Sequence, residues 1–265
     1  MFLAYVRNER ELAPANWERL LAQVPPEIGE QAGRYRRWQD RQASLFGKLL
    51  LRTVCTILLG EPTDLGRLTH DAYRRPRLEG YHDFDFNISH TDGLVVCVGA
   101  VGAGRVGVDV ERRLPIRLEE FRRVFTDDEY GRLTAAEHLL EDFYRLWTRK
   151  ESVMKADGRG FHLDARTIDA LAERITVGNR SYDVKSLALT PDHSCHVAAA
   201  SLTSVRLRSC GVEDWLSAGG LHEQHLLHLR RGLAGLPRRI GDSPQGEKTQ
   251  CDGQQYEGQF GENTQ

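Results

Sequence analysis

The stretch of sequence that decides the fold lies at residues 147–156 and reads WTRKESVMKA. Apolar residues between Glu141 and Asp157 can form the buried face of a helix, and the glycine-containing triplet at 158–160 ends it. On such a helix, Glu151 and Lys155 are four residues apart and share one face. A carboxylate beside an ammonium group suits a metal and phosphate site, although such a pair taken alone is most often a surface ion pair.

A second motif, GVDVE, occupies residues 107–111. Alternate side chains of a strand share a face, so Asp109 and Glu111 point one way while Val108 and Val110 point into a core. Adjacent carboxylates repel each other unless a positive charge lies between them. Mg²⁺ prefers oxygen ligands and retains waters for substrate phosphates, so the motif indicates a magnesium site. Taken alone, such a triplet is most often a solvated strand face.

A third motif, FNISHT at residues 86–91, precedes an apolar strand at 94–100. It can present the Ser89 hydroxyl and the His90 imidazole at a sheet edge, where the imidazole can donate to a phosphate oxygen. Gly102 and Gly104 mark a turn after the strand. The segment from Arg105 to Glu111 is therefore predicted to return as the second strand of a hairpin.

The chain divides into two similar halves. A helix is predicted over Gln39–Leu59 in the first half, before the strands at 94–100 and 105–111. In the second half, the helix between Glu141 and Asp157 is followed by strands predicted at Arg174–Val177, Ser181–Leu189 and Cys195–Ser201. This layout indicates an α+β fold with subdomains at 1–114 and 115–217 and a ligand cleft between them. A C-terminal helix is predicted at 218–236, and the segment 237–265 is too poor in large aliphatic residues to fold.

Composition excludes several classes of protein. The 265 residues carry a formal net charge of -2, which argues against a protein that coats nucleic acid. No signal peptide or membrane span is predicted, because the apolar runs are short or interrupted by charge. The five cysteines are widely spaced and form no CxxC pair, so reduced thiols in a cytoplasmic protein are expected.

Read in order, the three motifs resemble those of the 4′-phosphopantetheinyl transferases of the surfactin-synthetase-activating type. The resemblance is strong over about residues 70–160, and a weaker similarity in the layout of helices and strands extends from the N-terminus to about residue 217. It implies two similar α/β subdomains in a pseudo-twofold arrangement, with the active site in the cleft between them. It also implies Mg²⁺-dependent transfer of the phosphopantetheine arm of coenzyme A to a serine of a carrier protein, with release of adenosine 3′,5′-bisphosphate.

The resemblance assigns roles to individual residues. It implies that Asp109, Glu111 and Glu151 bind Mg²⁺, and that Glu151, Lys155 and His90 are catalytic. Many relatives carry a basic residue where this chain has Ala43, and Arg41 or Lys48 are the candidates to replace it. The implied coenzyme A contacts are Arg41, Lys48, Arg75, Ser89, His90, Lys150 and Lys155.

Carrier proteins of this class are small acidic helical domains, so a basic docking surface is expected. The arginines at 112, 113, 117, 122 and 123 follow the metal-binding strand and can supply it. A solvated face interleaved with Glu119 and Glu120 is an equally good interpretation. The protein is expected to act as a monomer, away from membranes and nucleic acid.

Two other functions remain open at the level of sequence. A metal-dependent nuclease also places an Asp, a Glu and a Lys around Mg²⁺, but usually with the Glu and Lys two apart on a strand. A family member that binds coenzyme A or a carrier without transfer is the second alternative, and Ala43 is the feature that favours it.

Overall fold

The polypeptide forms two four-stranded β-sheets, each with one long helix on its outer face. The computed structural model describes residues 1–61 and 63–217. The strands are β1 (Phe2–Asn8), β2 (Leu68–His70), β3 (Pro76–Leu78), β4 (Phe84–Thr91), β5 (Gly93–Val101), β6 (Val106–Arg112), β7 (Arg174–Val177), β8 (Arg180–Ser186), β9 (His193–Ala199) and β10 (Arg206–Cys210). The helices are α1 (Pro14–Leu21), α2 (Pro26–Gly33), α3 (Trp38–Leu59), α4 (Asp127–Thr134), α5 (Leu139–Asp157) and α6 (Glu213–Leu216).

Strand pairing sets the order β10-β1-β5-β4 in the first sheet and β6-β9-β8-β7 in the second, with β2 and β3 as a separate pair. The inner faces of the two sheets share one hydrophobic core. Its fully buried members include Leu3 of β1, Val96 of β5, Val108 of β6 and Val197 of β9. The predicted α+β class is therefore confirmed, and the two halves are joined by a common apolar interior.

Helix α3 packs on the outer face of the first sheet. It confirms the helix predicted over 39–59 and ends at Gly60, which takes the left-handed conformation with φ of 86°. Among the described residues it is the single helix whose length and hydropathy would suit a membrane span, yet 78% of that apolar window is buried inside the protein. A core helix of a soluble protein meets the same criterion.

Helix α5 lies directly on β6 of the second sheet. A Cβ atom on Gly107 would stand 2.0 Å from the carbonyl oxygen of Ser152 and 2.5 Å from the amide nitrogen of Ala156. Only glycine allows the helix backbone to come this close to the strand. The glycine of the GVDVE motif thus determines how near the helix residues Glu151 and Lys155 lie to the strand carboxylates.

The predicted hairpin of β5 and β6 is wrong. Both edges of β5 are occupied, by β1 and β4, so the chain leaves the first sheet after β5 and β6 pairs with β9 in the second. Because β6 already belongs to the second sheet, the chain crosses between the sheets before residue 106, ahead of the boundary predicted near residue 115. The chain also returns: β10 pairs in parallel with β1, and Trp215 of α6 lies 5.6 Å from Phe46 of α3, ring centre to ring centre.

The described residues end at 217, so the helix predicted at 218–236 and the tail at 237–265 lie outside them.

Candidate active site

The two sheets meet along the edge strands β4 and β6 without pairing backbone to backbone. Polar side chains of β4 take the place of a partner strand and accept hydrogen bonds from alternate backbone N–H groups of β6. Asp85 accepts from Val106 (2.7 Å), Asn87 from Val108 (3.0 Å), Ser89 from Val110 (3.4 Å) and Thr91 from Arg112 (3.3 Å). We call these four β4 side chains the polar ladder. It supplies acceptors for backbone N–H groups at the edge of β6 that would otherwise have no hydrogen-bond partner.

Asp109 is the centre of the site. Its side chain is buried, and its Oδ1 accepts hydrogen bonds from the Lys155 ammonium at 2.6 Å and the Ser89 hydroxyl at 3.1 Å. The Ser89 hydroxyl in turn accepts from Lys155 at 2.9 Å. The second carboxylate oxygen, Oδ2, is buried without any hydrogen-bond partner. A buried charged oxygen without a partner is costly, and its position indicates that a ligand completes the site.

Two further carboxylates face the same region. Burial raises the pKa of Glu111, and the neighbouring negative charge of Asp109 raises it further. Burial followed by the charge of Asp109 likewise raises the pKa of Glu151, while Lys155 opposes this shift. The Thr91 hydroxyl donates to Glu111 Oε2 at 3.0 Å. The three acids therefore repel one another in the absence of a cation, and the single ammonium group of Lys155 only partly offsets this repulsion.

The donor set suits a hard divalent cation. Carboxylate oxygens are the preferred ligands of Mg²⁺, and the unpaired Oδ2 of Asp109 is available to bind one. Within residues 1–61 and 63–217, no three His, Cys, Asp or Glu side chains stand close enough together to hold an ion as they are. Mg²⁺ usually binds one or two protein carboxylates and fills its other positions with waters and substrate phosphates. The residues present fit such a cation.

His90 lies on the opposite face of β4 from Ser89, because neighbouring strand residues alternate. Its side chain is exposed at the surface. Partial desolvation lowers its pKa, Lys155 lowers it further, and Asp40 at the start of α3 acts in the opposite direction. With its pKa lowered, the imidazole is neutral at neutral pH and has one N–H to donate.

Lys150 does not take the position predicted for it. Its side chain is 1% exposed and pairs at 2.8 Å with Glu129, which is itself wholly buried. The ammonium also donates to the carbonyl oxygens of Ala165, at 2.9 Å, and Ile168. All three donors are thus used inside the second half of the molecule. The predicted coenzyme A contact at Lys150 is corrected to a buried structural ion pair.

Arg75 is also held by internal contacts. Its guanidinium donates to both carboxylate oxygens of Asp85 at 2.7 Å, to the Val106 carbonyl at 2.7 Å and to the Lys155 carbonyl at 3.2 Å. The side chain is 7% exposed. It joins β4, β6 and α5 and is not available to a coenzyme A phosphate in this geometry, contrary to the prediction from sequence.

The two candidates to replace the basic side chain that many relatives carry at position 43 lie in different places. Ala43 is a residue of α3, and its side chain is buried in the core. Arg41 lines a cavity of about 180 Å³ with Trp17 and Trp38, between α1 and the start of α3. Lys48 is partly buried, and burial lowers its pKa. Within the described part of the chain, the Lys48 ammonium has no hydrogen-bond or ion-pair partner.

Sequence reasoning missed the polar ladder and the role of Thr91. The signal was present as acceptor side chains at every second position, Asp85, Asn87, Ser89 and Thr91, which is the period of a strand. Cys195 and His196 are neighbours on β9 and face opposite sides of the second sheet. Cys195 lies in the core between the sheets, while His196 contacts Thr148 of α5 at 2.7 Å on the other face, where burial lowers its pKa to about 3.

Comparisons with known proteins agree with this architecture. The profile of the 4′-phosphopantetheinyl transferase superfamily matches residues 105–204, and that of the 4′-phosphopantetheinyl transferase N-terminal region matches residues 11–102. The chain is 32% identical over 157 residues to 4′-phosphopantetheinyl transferase Sfp of Bacillus subtilis, covering 58% of this chain and 69% of that protein. It is 33% identical over 165 residues to 4′-phosphopantetheinyl transferase gsp of Aneurinibacillus migulanus, covering 62% and 67%.

Two more distant similarities were also found. The L-aminoadipate-semialdehyde dehydrogenase-phosphopantetheinyl transferase of Rattus norvegicus is 28% identical over 172 residues, covering 59% of this chain and 55% of that protein. Among solved structures, holo-[acyl-carrier-protein] synthase of Thermotoga maritima matches with a TM-score of 0.29 and 13% identity, over 36% of this chain and 61% of that one.

The chain belongs to the 4′-phosphopantetheinyl transferase family. It is an enzyme of this family, which uses coenzyme A as substrate and transfers phosphopantetheine to carrier proteins.

Proposed function

We propose that this enzyme transfers 4′-phosphopantetheine to a serine of an acidic carrier protein in a Mg²⁺-dependent reaction that releases adenosine 3′,5′-bisphosphate. The observation that carries the proposal is the buried, unpaired Oδ2 of Asp109 beside the Lys155 ammonium. Asp109, Glu111 and Glu151 would hold the cation together with the coenzyme A pyrophosphate. When bound, Mg²⁺ neutralises charge on the pyrophosphate oxygens and aligns them.

The residues of the chain supply the remaining chemistry. In the transfer, the serine oxygen forms a bond to the phosphorus that carries the pantetheine arm, and the bond from that phosphorus to the bisphosphate leaving group breaks. Lys155 places a fixed positive charge next to the reacting phosphate, and His90 donates a hydrogen bond to it. Their positions on α5 and β4 keep these donors in place before the substrate arrives.

Glu151 accepts the serine proton, directly or through a water. Burial and the charge of Asp109 raise the pKa of Glu151 above that of an ordinary glutamate. A raised pKa makes the carboxylate a stronger base for the serine proton. No covalent enzyme intermediate is required.

The carrier is proposed to dock on the arginines at the end of β6 and in the segment that follows it. Arg112 and Arg113 are partly engaged, the first with Asp92 at 2.7 Å and the second with the backbone carbonyl of His193 at 3.1 Å. Arg122 pairs with Asp127 and stacks 4.7 Å from the Tyr130 ring centre. Arg117 pairs with Glu120. Arg123 is exposed and, among the described residues, has no partner, so it is the arginine freest to meet an acidic carrier.

A direct assay tests the proposed reaction. The protein is incubated with coenzyme A, Mg²⁺ and a panel of apo carrier proteins, and each carrier is weighed by intact-protein mass spectrometry. We expect a phosphopantetheine mass gain that disappears with chelator and in Asp109→Ala. Glu151→Gln should lose the gain while Glu141→Gln, the same change at an exposed position of α5, keeps it. Binding of coenzyme A without any mass gain would instead support a non-transferring family member.

A further inference from the structure

The Thr91 hydroxyl makes two hydrogen bonds whose directions are fixed. It accepts from the backbone N–H of Arg112 at 3.3 Å and donates to Glu111 Oε2 at 3.0 Å. A backbone N–H can only donate and an ionised carboxylate can only accept, so the single hydroxyl proton must point at Glu111. Thr91 therefore binds the backbone of β6 at Arg112 and, at the same time, holds the side chain of Glu111.

The same arrangement occurs one step along the polar ladder. Ser89 accepts from the backbone of Val110 and donates to the carboxylate of Asp109, as Thr91 does for Arg112 and Glu111. Each strand carboxylate is thus oriented by a hydroxyl located 20 residues earlier in the chain. Asp85 and Asn87 cap the same strand without contacting either carboxylate, so these two contacts go beyond closing the sheet edge.

We propose that Thr91 is a positioning residue that orients the Glu111 carboxylate for divalent cation binding. The inference rests on the proposed Mg²⁺ site at Asp109, Glu111 and Glu151. A free glutamate side chain samples many rotamers, and holding one of its oxygens leaves the other directed to the ligand. Partners that orient a ligating carboxylate typically contribute 10–100-fold to metal affinity or activity.

The test uses Mn²⁺ as the probe, because its binding is measured by electron paramagnetic resonance without turnover. We expect Thr91→Val, which keeps the shape and removes the hydroxyl, to raise the Mn²⁺ Kd about 10-fold. Thr91→Ser, which restores the hydroxyl, should return the Kd to within about twofold of the wild type. If Thr91→Val is poorly folded, Thr91→Ala repeats the comparison in the full-length protein.

The matched control is Asn87→Leu, which removes another member of the polar ladder without touching a carboxylate. It should lower the Tm and leave the Mn²⁺ Kd unchanged. An unaltered Kd in a folded Thr91→Val protein, or an Asn87→Leu protein with an equally weakened Kd, would overturn the positioning role. If the wild type binds no Mn²⁺ even with coenzyme A present, the proposed cation site itself fails, and this result is distinct from equal binding by wild type and variant.

Discussion

Replacing Gly107 by alanine tests whether the closeness of α5 to β6 is what builds the site. Gly107 does not have a positive φ, so alanine is compatible with its backbone and would by itself reduce the entropy of the unfolded chain. The cost comes from the added methyl group, which would lie 2.0 Å from the Ser152 carbonyl and 2.5 Å from the Ala156 amide. Both obstacles are helix backbone, so no side-chain rotation can relieve them.

The geometry gives the size of the effect. Ordinary contact begins at 3.4 Å, so the helix and strand must separate by roughly 1 Å or more. Overpacking of this kind costs about 1–3 kcal/mol of unfolding free energy. The same displacement carries Lys155 and Glu151 away from Asp109, whose distance to Lys155 is now 2.6 Å. A misplacement of about 1 Å can lower a catalytic rate by about 10²-fold.

The assay combines urea denaturation with carrier modification at saturating coenzyme A. The matched control is Gly131→Ala in α4, where the added methyl group meets nothing within 4 Å. It should stabilise the protein by about 0.5–1 kcal/mol, because alanine is the better helix former, and leave the rate unchanged. A Gly107→Ala enzyme with wild-type rate and stability would show that the close approach does not set the site geometry.

Three further predictions concern the site and the contacts that support it. Lys150→Met should cost about 3–5 kcal/mol in urea denaturation, because it leaves Glu129 buried and unpaired, and Glu129→Leu in the same protein should recover most of the loss. Glu151→Gln should raise the Tm at pH 7 in chelator. This gain should shrink as the pH falls through the raised pKa of Glu151, where the wild-type carboxyl binds a proton and folding no longer buries a charge. A gain that persists at low pH would contradict that assignment. Arg123→Glu should raise the carrier KM and leave the coenzyme A KM unchanged, and Arg122→Glu should have a smaller effect; an unchanged carrier KM would remove Arg123 from the docking surface.

Long periodic segments were predictable from the sequence. The helices at 38–59 and 139–157 each end at a glycine in the left-handed conformation, and the glycine-containing triplet at 158–160 predicts the second of these ends. Strand partners were not predictable in the same way. The glycines at 102 and 104 indicate that the chain turns, but they do not show that both edges of β5 are already occupied. The hairpin prediction failed because pairing depends on residues far away in the sequence.

In the site, as in the fold, local sequence patterns predicted some features and missed those that depend on distant residues. Spacing paired Asp109 with Glu111 on one strand and Glu151 with Lys155 on one helix, and only the family resemblance predicted that the two pairs meet, as the 2.6 Å contact between Lys155 and Asp109 shows. The resemblance also implied a coenzyme A contact at Lys150, but the helical period turns neighbouring residues about 100° apart, so Lys150 points into the core while Glu151 faces β6. Its partner Glu129 comes from another helix, and nothing local in the sequence signals that pairing.

The way the sheets are joined limits how the site can respond to substrate. The chain passes between the sheets twice, after β5 and after β9, and their inner faces share the buried core of Leu3 and Val108. The polar ladder and the Arg75 contacts add polar links at the cleft itself. Rotating one sheet against the other would break all of these contacts together, because a close-packed core does not deform continuously. We therefore expect the response to coenzyme A and cation to be confined to side chains such as Glu151, with Asp109 and Lys155 already in place.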